Sequence, residues 1–146
     1  MHFVVATTEQ ASAVVEYFNG FHDGFIRRFS LISHDTFEDR DTHVTTGVLD
    51  IEILFAHSNY RYGLPPFDQL VDVRFTGVRD VRVTFTGLPT DWPITNFHLE
   101  TEAAPDGPRF RARLIQPRLV DNSRWEHAES LTFSFHSAEF RELAVA

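Results

Sequence analysis

Two ionisable side chains stand next to each other in Phe18-Asn19-Gly20-Phe21-His22-Asp23-Gly24. An imidazole beside a carboxylate has the residue types for general acid/base work, or for two ligands of a divalent ion. Neighbours on a strand point to opposite faces, so the pair converges only where the backbone bends. Gly20 and Gly24 permit such a bend. The plainer alternative is framework: Asp23 satisfies backbone donors at a junction while His22 packs and hydrogen-bonds locally. Acid/base work requires a geometry that spacing alone does not supply, so the sequence favours framework.

A second group follows at His34 and Asp35, with Glu38, Asp39, Asp41 and His43 close behind. Hard oxygens and imidazoles suit a divalent cation. The run lacks the glycine and spacing of an EF-hand loop, and a solvated acidic hairpin loop accounts for it as well. His22, Asp23, His34 and Asp35 are therefore taken as a junction that is structural or ligand-binding, with no catalytic residue and no metal assigned. Arg109, Arg111 and Arg113 form a basic stripe able to grip phosphate or carboxylate. Glu100 and Glu102 offer it a simpler use, as cross-strand partners on an exposed face. In the stretch from His57 to Phe67, the residues Tyr60, Arg61, Tyr62 and Phe67 are candidate partner-binding residues, since Tyr and Arg are common interface anchors. Pro65 and Pro66 stiffen that stretch. No Ser-His-Asp arrangement, P-loop, dinucleotide fingerprint or His-Glu-x-x-His motif is present.

The elements that must position these groups are written in the periodicity. His2–Ala6 reads as a short strand. Thr7 and Gln10 have capping-box spacing, and Ala11, Val14, Val15 and Phe18 share one helical face. Gly20 supplies the helix stop. From Phe25 the period changes to two. Phe25, Phe29 and Leu31 share a face, with Arg27 interrupting. Leu49, Ile51, Ile53 and Phe55 alternate with Asp50 and Glu52. Val71, Val73 and Phe75 precede a turn near Gly77–Asp80, and Val81, Val83 and Phe85 repeat the pattern, as in a hairpin with one wet face. Phe97 and Leu99, a Pro-Asp-Gly turn at 105–107, then Phe110, Ala112 and Leu114 form the best-specified hairpin. Its register sets Glu102 opposite Arg109 and Glu100 opposite Arg111. Leu131, Phe133 and Phe135 close the series. His57–Phe67 and Pro117–Trp125 read as longer loops.

A chain of 146 residues suits one domain, 1–146. Fifteen Phe against one Met imply a stiff aromatic core. The absence of Cys removes disulfides, thiolate zinc sites and Cys nucleophiles. The net charge is −8, and all thirteen basic residues are Arg. An acidic chain repels phosphate backbones, so nucleic acid is not an expected partner. No apolar run approaches the ~20 residues that span a bilayer, so no membrane is expected either. The first twenty residues make a poor secretory signal, having no Lys or Arg and polar residues at 7–10. The expected location is cytoplasmic.

Three stretches together resemble the bacterial immunity protein 50 family. They are Phe18-Asn19-Gly20-Phe21-His22-Asp23 after a short helix, the run from Val73 to Val83 with its Gly77-Val78 centre, and Asn96-Phe97-His98-Leu99-Glu100 followed by a late strand at Leu131–Phe135. Where that family continues with Ala and an acidic residue, this chain has Gly24 and Phe25, so a third acidic partner is missing at the junction. The resemblance implies a small binding protein that neutralises a co-produced toxin.

The expected fold is mainly β, bordering on α+β: an antiparallel β-sandwich or curled sheet of about seven to nine strands with one short N-terminal helix. The expected function is non-enzymatic protein binding, by steric blocking through the acidic loops and the segment Tyr60–Phe67. No cofactor is expected. The alternatives are a metal-dependent enzyme or small-ligand binder at the His22/Asp23 junction, and a homodimer or larger scaffold closed by exposed strand edges.

Overall fold

Alternation at period two builds two antiparallel sheets whose apolar faces meet. The computed structural model describes residues 1–44, 47–58, 68–84, 93–105, 107–120 and 124–143. In chain order the elements are β1 (His2–Val5), α1 (Thr8–Tyr17), a 3-10 turn (Asn19–Phe21), β2 (Phe25–Ser33), β3 (Thr36–Phe37), β4 (His43–Val44), β5 (Leu49–Ser58), β6 (Asp68–Thr76), β7 (Arg79–Val83), β8 (Asn96–Glu102), β9 (Arg109–Val120), β10 (Arg124–Phe135) and β11 (Ser137–Glu142). A five-stranded sheet has the order β1-β11-β6-β5-β2, and a four-stranded sheet the order β7-β10-β9-β8. β3 and β4 form a two-stranded hairpin of their own. The fold is thus mainly β, with two antiparallel sheets and one short N-terminal helix, as the alternation implies.

The core lies between the sheets. Ile51, Ile53 and Phe55 of β5, and Val71, Val73 and Phe75 of β6, are fully buried. They face Phe110, Ala112 and Leu114 of β9 and Leu131, Phe133 and Phe135 of β10. Phe75 meets Phe133 at 4.8 Å and Phe135 at 4.9 Å across the layer, in edge-to-face geometry. Each such buried ring stabilises by roughly 1.5–3 kcal/mol, and each well-set ring pair adds about 0.5–1.5 kcal/mol.

The helix is capped as its sequence predicts. Thr7 Oγ1 accepts the Gln10 N–H at 3.2 Å, and Gln10 Oε1 accepts the Thr7 N–H at 3.1 Å. Ala11, Val14 and Phe18 are buried, closing one end of the core beside Phe3. The β8–β9 hairpin has the expected register, Glu100 opposite Arg111 and Glu102 opposite Arg109.

Three sequence expectations are corrected. The runs around Gly77 do not make a hairpin: β6 lies between β11 and β5, whereas β7 pairs with β10 in the other sheet. The Gly77 turn carries the chain from one layer to the other, and Val83 is left exposed. Pro117–Trp125 is largely strand, since β9 runs to Val120 and β10 begins at Arg124. Ile115 gives its carbonyl to the Thr95 N–H, so by alternation the nitrogen of Pro117 faces the same side, past the end of β8, where it interrupts no ladder bond of that pair. On β2, Ile26 is the buried residue while Phe25 and Leu31 are exposed. A register shift between Ile26 and Arg28 changes the strand's phase, and Phe29 packs against the core three residues after Ile26.

Candidate functional site

The helix-to-sheet corner is built from left-handed backbone. Asn19, Gly20 and Phe21 have φ of 51°, 58° and 53°, and Asp23 has 63°. Asn-Gly favours this region, whereas a bulky side chain such as Phe21 adopts it at a cost. Stacking holds Phe21 in place: its ring lies 4.2 Å from Phe55 and 4.9 Å from Phe18, both nearly parallel. The helix stop falls one residue earlier than Gly20, because Asn19 takes the first left-handed position. Gly20 is needed for a second reason, since a Cβ there would meet Asn96 Oδ1 at 2.0 Å.

The reversed backbone is what brings His22 and Asp23 together. His22 Nε2 lies 3.5 Å from Asp23 Oδ2, with each side chain about half exposed. His22 Nδ1 donates to the Thr95 carbonyl at 2.8 Å. A carbonyl only accepts, so the ring carries a proton at Nδ1 and turns Nε2 toward the carboxylate. The Asp23 N–H donates to the Ile94 carbonyl at 2.8 Å, and the Ile94 N–H to the Gly24 carbonyl at 2.7 Å. Thr95 Oγ1 in turn lies 2.9 Å from His127 Nδ1. Beside this pair is a surface hollow of about 460 Å³, lined by Val15, Glu16, Asn19, His22, Thr95 and Asn96. The corner can hold a positively charged donor between an imidazole nitrogen and a carboxylate. It supplies two ligands to a cation, and among the described residues no group of three His, Cys, Asp or Glu side chains is placed to hold a metal ion.

His34 and Asp35 are not part of this site. They follow the far end of β2, whose nine residues put about 30 Å between the two ends. His34 Nε2 donates to Asp50 Oδ2 at 2.9 Å, and Arg74 Nη2 donates to the same oxygen at 2.9 Å. Asp50 is 4% exposed. Burial pushes its carboxyl up, but the hydrogen bonds and charges of His34 and Arg74 outweigh that and hold it below the usual carboxylate range. Ser33 Oγ accepts the Asp35 N–H at 3.1 Å. In the acidic run, Asp39 builds the β3–β4 turn by accepting the N–H groups of Asp41 and Thr42 at 2.8 and 3.0 Å. The Asp41 and Thr42 bonds hold its carboxyl low.

The arginine stripe divides. Arg111 bonds Glu102, and Arg113 bonds Glu100 at 2.8 Å and Glu129 at 2.6 Å, so the ion pairs run diagonally to the register. Arg109 is buried, donating to the Gly77 carbonyl at 2.6 Å and to His136 Nε2 at 2.7 Å. It ties the hairpin to the turn that changes layers and does not belong to an exposed face. Tyr60, Arg61, Tyr62 and Phe67 lie outside the described residues. Their flanks, Ser58 and Asp68, pair with each other at the corner end of the five-stranded sheet. The acidic β3–β4 hairpin follows the opposite end of β2.

Sequence reasoning missed Thr95, Asn96, His127 and Glu16. Asn19-Gly20 is itself a left-handed signal and points to a sharp corner. Nothing in the order of residues ties Thr95 to His22, because that contact depends on how the chain returns through Ile94. Compared with known protein families, curated proteins and solved structures, the chain matches none.

Proposed function

We propose that the chain is a non-enzymatic protein-binding module of the kind that the immunity protein 50 likeness implies, and that it receives a basic protein at the helix-to-sheet corner. The observation that carries this reading is the run of left-handed residues from Asn19 to Phe21, which holds half-exposed His22 at the rim of a hollow with the Asp23 carboxylate 3.5 Å from its ring. Strained backbone persists where surrounding structure over-determines it, and such places cluster at ligand clamps. Asp23 and Glu16 give the rim a negative character, and the net charge of −8 steers a cationic partner toward the chain. The partner would be blocked by cover and not by chemistry.

The test is affinity capture from the source cell with the wild type and with an Asp23→Arg/Glu16→Arg variant. A basic protein retained by the first and lost by the second, at equal melting temperature, supports the reading. Equal retention moves the interface elsewhere.

A second reading has one observation in its favour. A histidine that donates Nδ1–H to a backbone carbonyl and presents Nε2 next to a carboxylate is set as a metal ligand commonly is. Thermal shift with divalent cations separates the two readings: a ligand at a hundred times its dissociation constant stabilises by roughly 2.7 kcal/mol. A rise abolished by His22→Ala would favour the ion, and no rise at saturating metal would leave the protein partner.

A further inference from the structure

The two sheets have four edges, and three are guarded. β1 has four residues. β7 has five, with a register irregularity against β10. β8 lies beside α1, where Thr8 Oγ1 and Thr101 Oγ1 are 2.9 Å apart. β2 has nine residues and ends its sheet, so its rail away from β5 carries no strand among the described residues. The bulge at Arg27 protects the start of β2, but Phe29–Ser33 pairs regularly with β5. At its middle Leu31 is 52% exposed, although it stands opposite the fully buried Ile51.

Charge is divided along the same strand. Arg27 and Arg28 stand near its beginning, whereas Asp35, Glu38, Asp39 and Asp41 follow its end. An antiparallel copy of β2 would therefore set the basic end of each chain against the acidic end of the other. We propose that this rail is a homodimer interface, in which β2 pairs with β2 of a second copy about a two-fold axis at Leu31. The register covers Leu31 with Leu31 of the second copy and brings Arg27 opposite its Asp35. It keeps the core-side residues of both strands on one face, since the side-chain period is two. The occupant is a second copy and not an arbitrary strand, because the charges at the two ends of the strand complement each other when it is reversed. This inference is independent of the corner and of what the corner binds.

The test is the mass in solution, by light scattering after size exclusion over a dilution series. Wild type is expected at twice 16.8 kDa. Raising the salt should shift dissociation to higher protein concentration, because exposed charges are screened. Leu31→Arg should yield a folded monomer, and Val4→Arg on the short β1 edge should leave the dimer intact. Arg27→Asp should weaken the dimer about tenfold or more by setting like charges opposite each other, and Arg27→Asp with Asp35→Arg should restore it. If Leu31→Arg fails to fold, the charge swap and its rescue decide alone. A wild-type monomer at the highest soluble concentration would overturn the proposal. So would a dimer that Leu31→Arg leaves untouched, or a charge reversal that the second reversal does not rescue.

Discussion

Gly20→Ala isolates what the corner demands of its backbone. Gly20 has φ of 58°, where an L-residue pays roughly 1–2 kcal/mol. The added Cβ would also stand 2.0 Å from Asn96 Oδ1, which must move. Moving it gives up the bond in which Asn96 Oδ1 accepts the Phe97 N–H at 2.9 Å. That loss adds about 0.5–1.5 kcal/mol, so the expected destabilisation is roughly 2–3 kcal/mol. For a chain of this length the melting temperature should fall by about 5–10 °C. The assay is urea and thermal unfolding by circular dichroism, in the native background and in Asn96→Ala. With Asn96 truncated the clash is gone and the dihedral cost remains, so the loss should shrink by about 1 kcal/mol, the coupling between the two positions. A Gly20→Ala variant within ~0.5 kcal/mol of wild type would refute the reasoning, because ordinary surface substitutions fall in that range. Equal losses in both backgrounds would remove Asn96 from the account.

Phe21→Ala should cost about 3–5 kcal/mol, since it empties a fully enclosed ring site and also removes the stacking that holds the corner; a chemical denaturation midpoint measures it, and a loss under ~1 kcal/mol would show that the corner is held by something else. His22→Ala should lower stability by about 1 kcal/mol through the lost bond to the Thr95 carbonyl, with Asp23→Ala similar or smaller because its backbone bond to Ile94 survives; unchanged melting in both would leave the pair without a framework role. Asp50 has a folded carboxyl held below its unfolded value of about 3.9, so it contributes stability above that value that is lost as the pH falls through the lower folded value. Asp50→Asn should therefore destabilise at pH 7 and flatten the acid limb of the stability curve, and parallel curves for variant and wild type below pH ~5 would contradict the His34–Arg74 arrangement.

What was legible in the sequence was local. Thr7 and Gln10 specify the helix start because both partners lie within one turn. Glu100 and Arg111 specify a register because one turn joins their strands. The phase of β2 was not legible: Phe25, Phe29 and Leu31 read as one face, whereas the bulge between Ile26 and Arg28 buries Ile26 instead. Less legible was anything decided by sheet membership. Val73–Phe75 and Val81–Val83 carry the same alternation, and nothing in it says that the first joins β5 and β11 while the second joins β10. Asp50 reads as a solvated residue on the face away from Ile51, yet hydrogen bonds from His34 and Arg74, distant in sequence, let it be buried. Arg109 reads as one of three equivalent arginines, and only the layer-changing turn at Gly77 separates it from the others. At the corner, His22 and Asp23 were legible as a pair, but Thr95 and the hollow beside them depend on a distant segment.

The outermost strand of the five-stranded sheet has a kinetic consequence. β1 has β11 as its strand neighbour, with His2 opposite Arg141, and the amino group of Met1 lies 3.2 Å from Glu142 Oε2. The partners are 133 (Val5 and Ala138) to 139 (His2 and Arg141) positions apart, so this pairing closes a very long loop. Pairings so distant in sequence are slow to form, and α1, tethered to β1 through two residues, would dock late for the same reason.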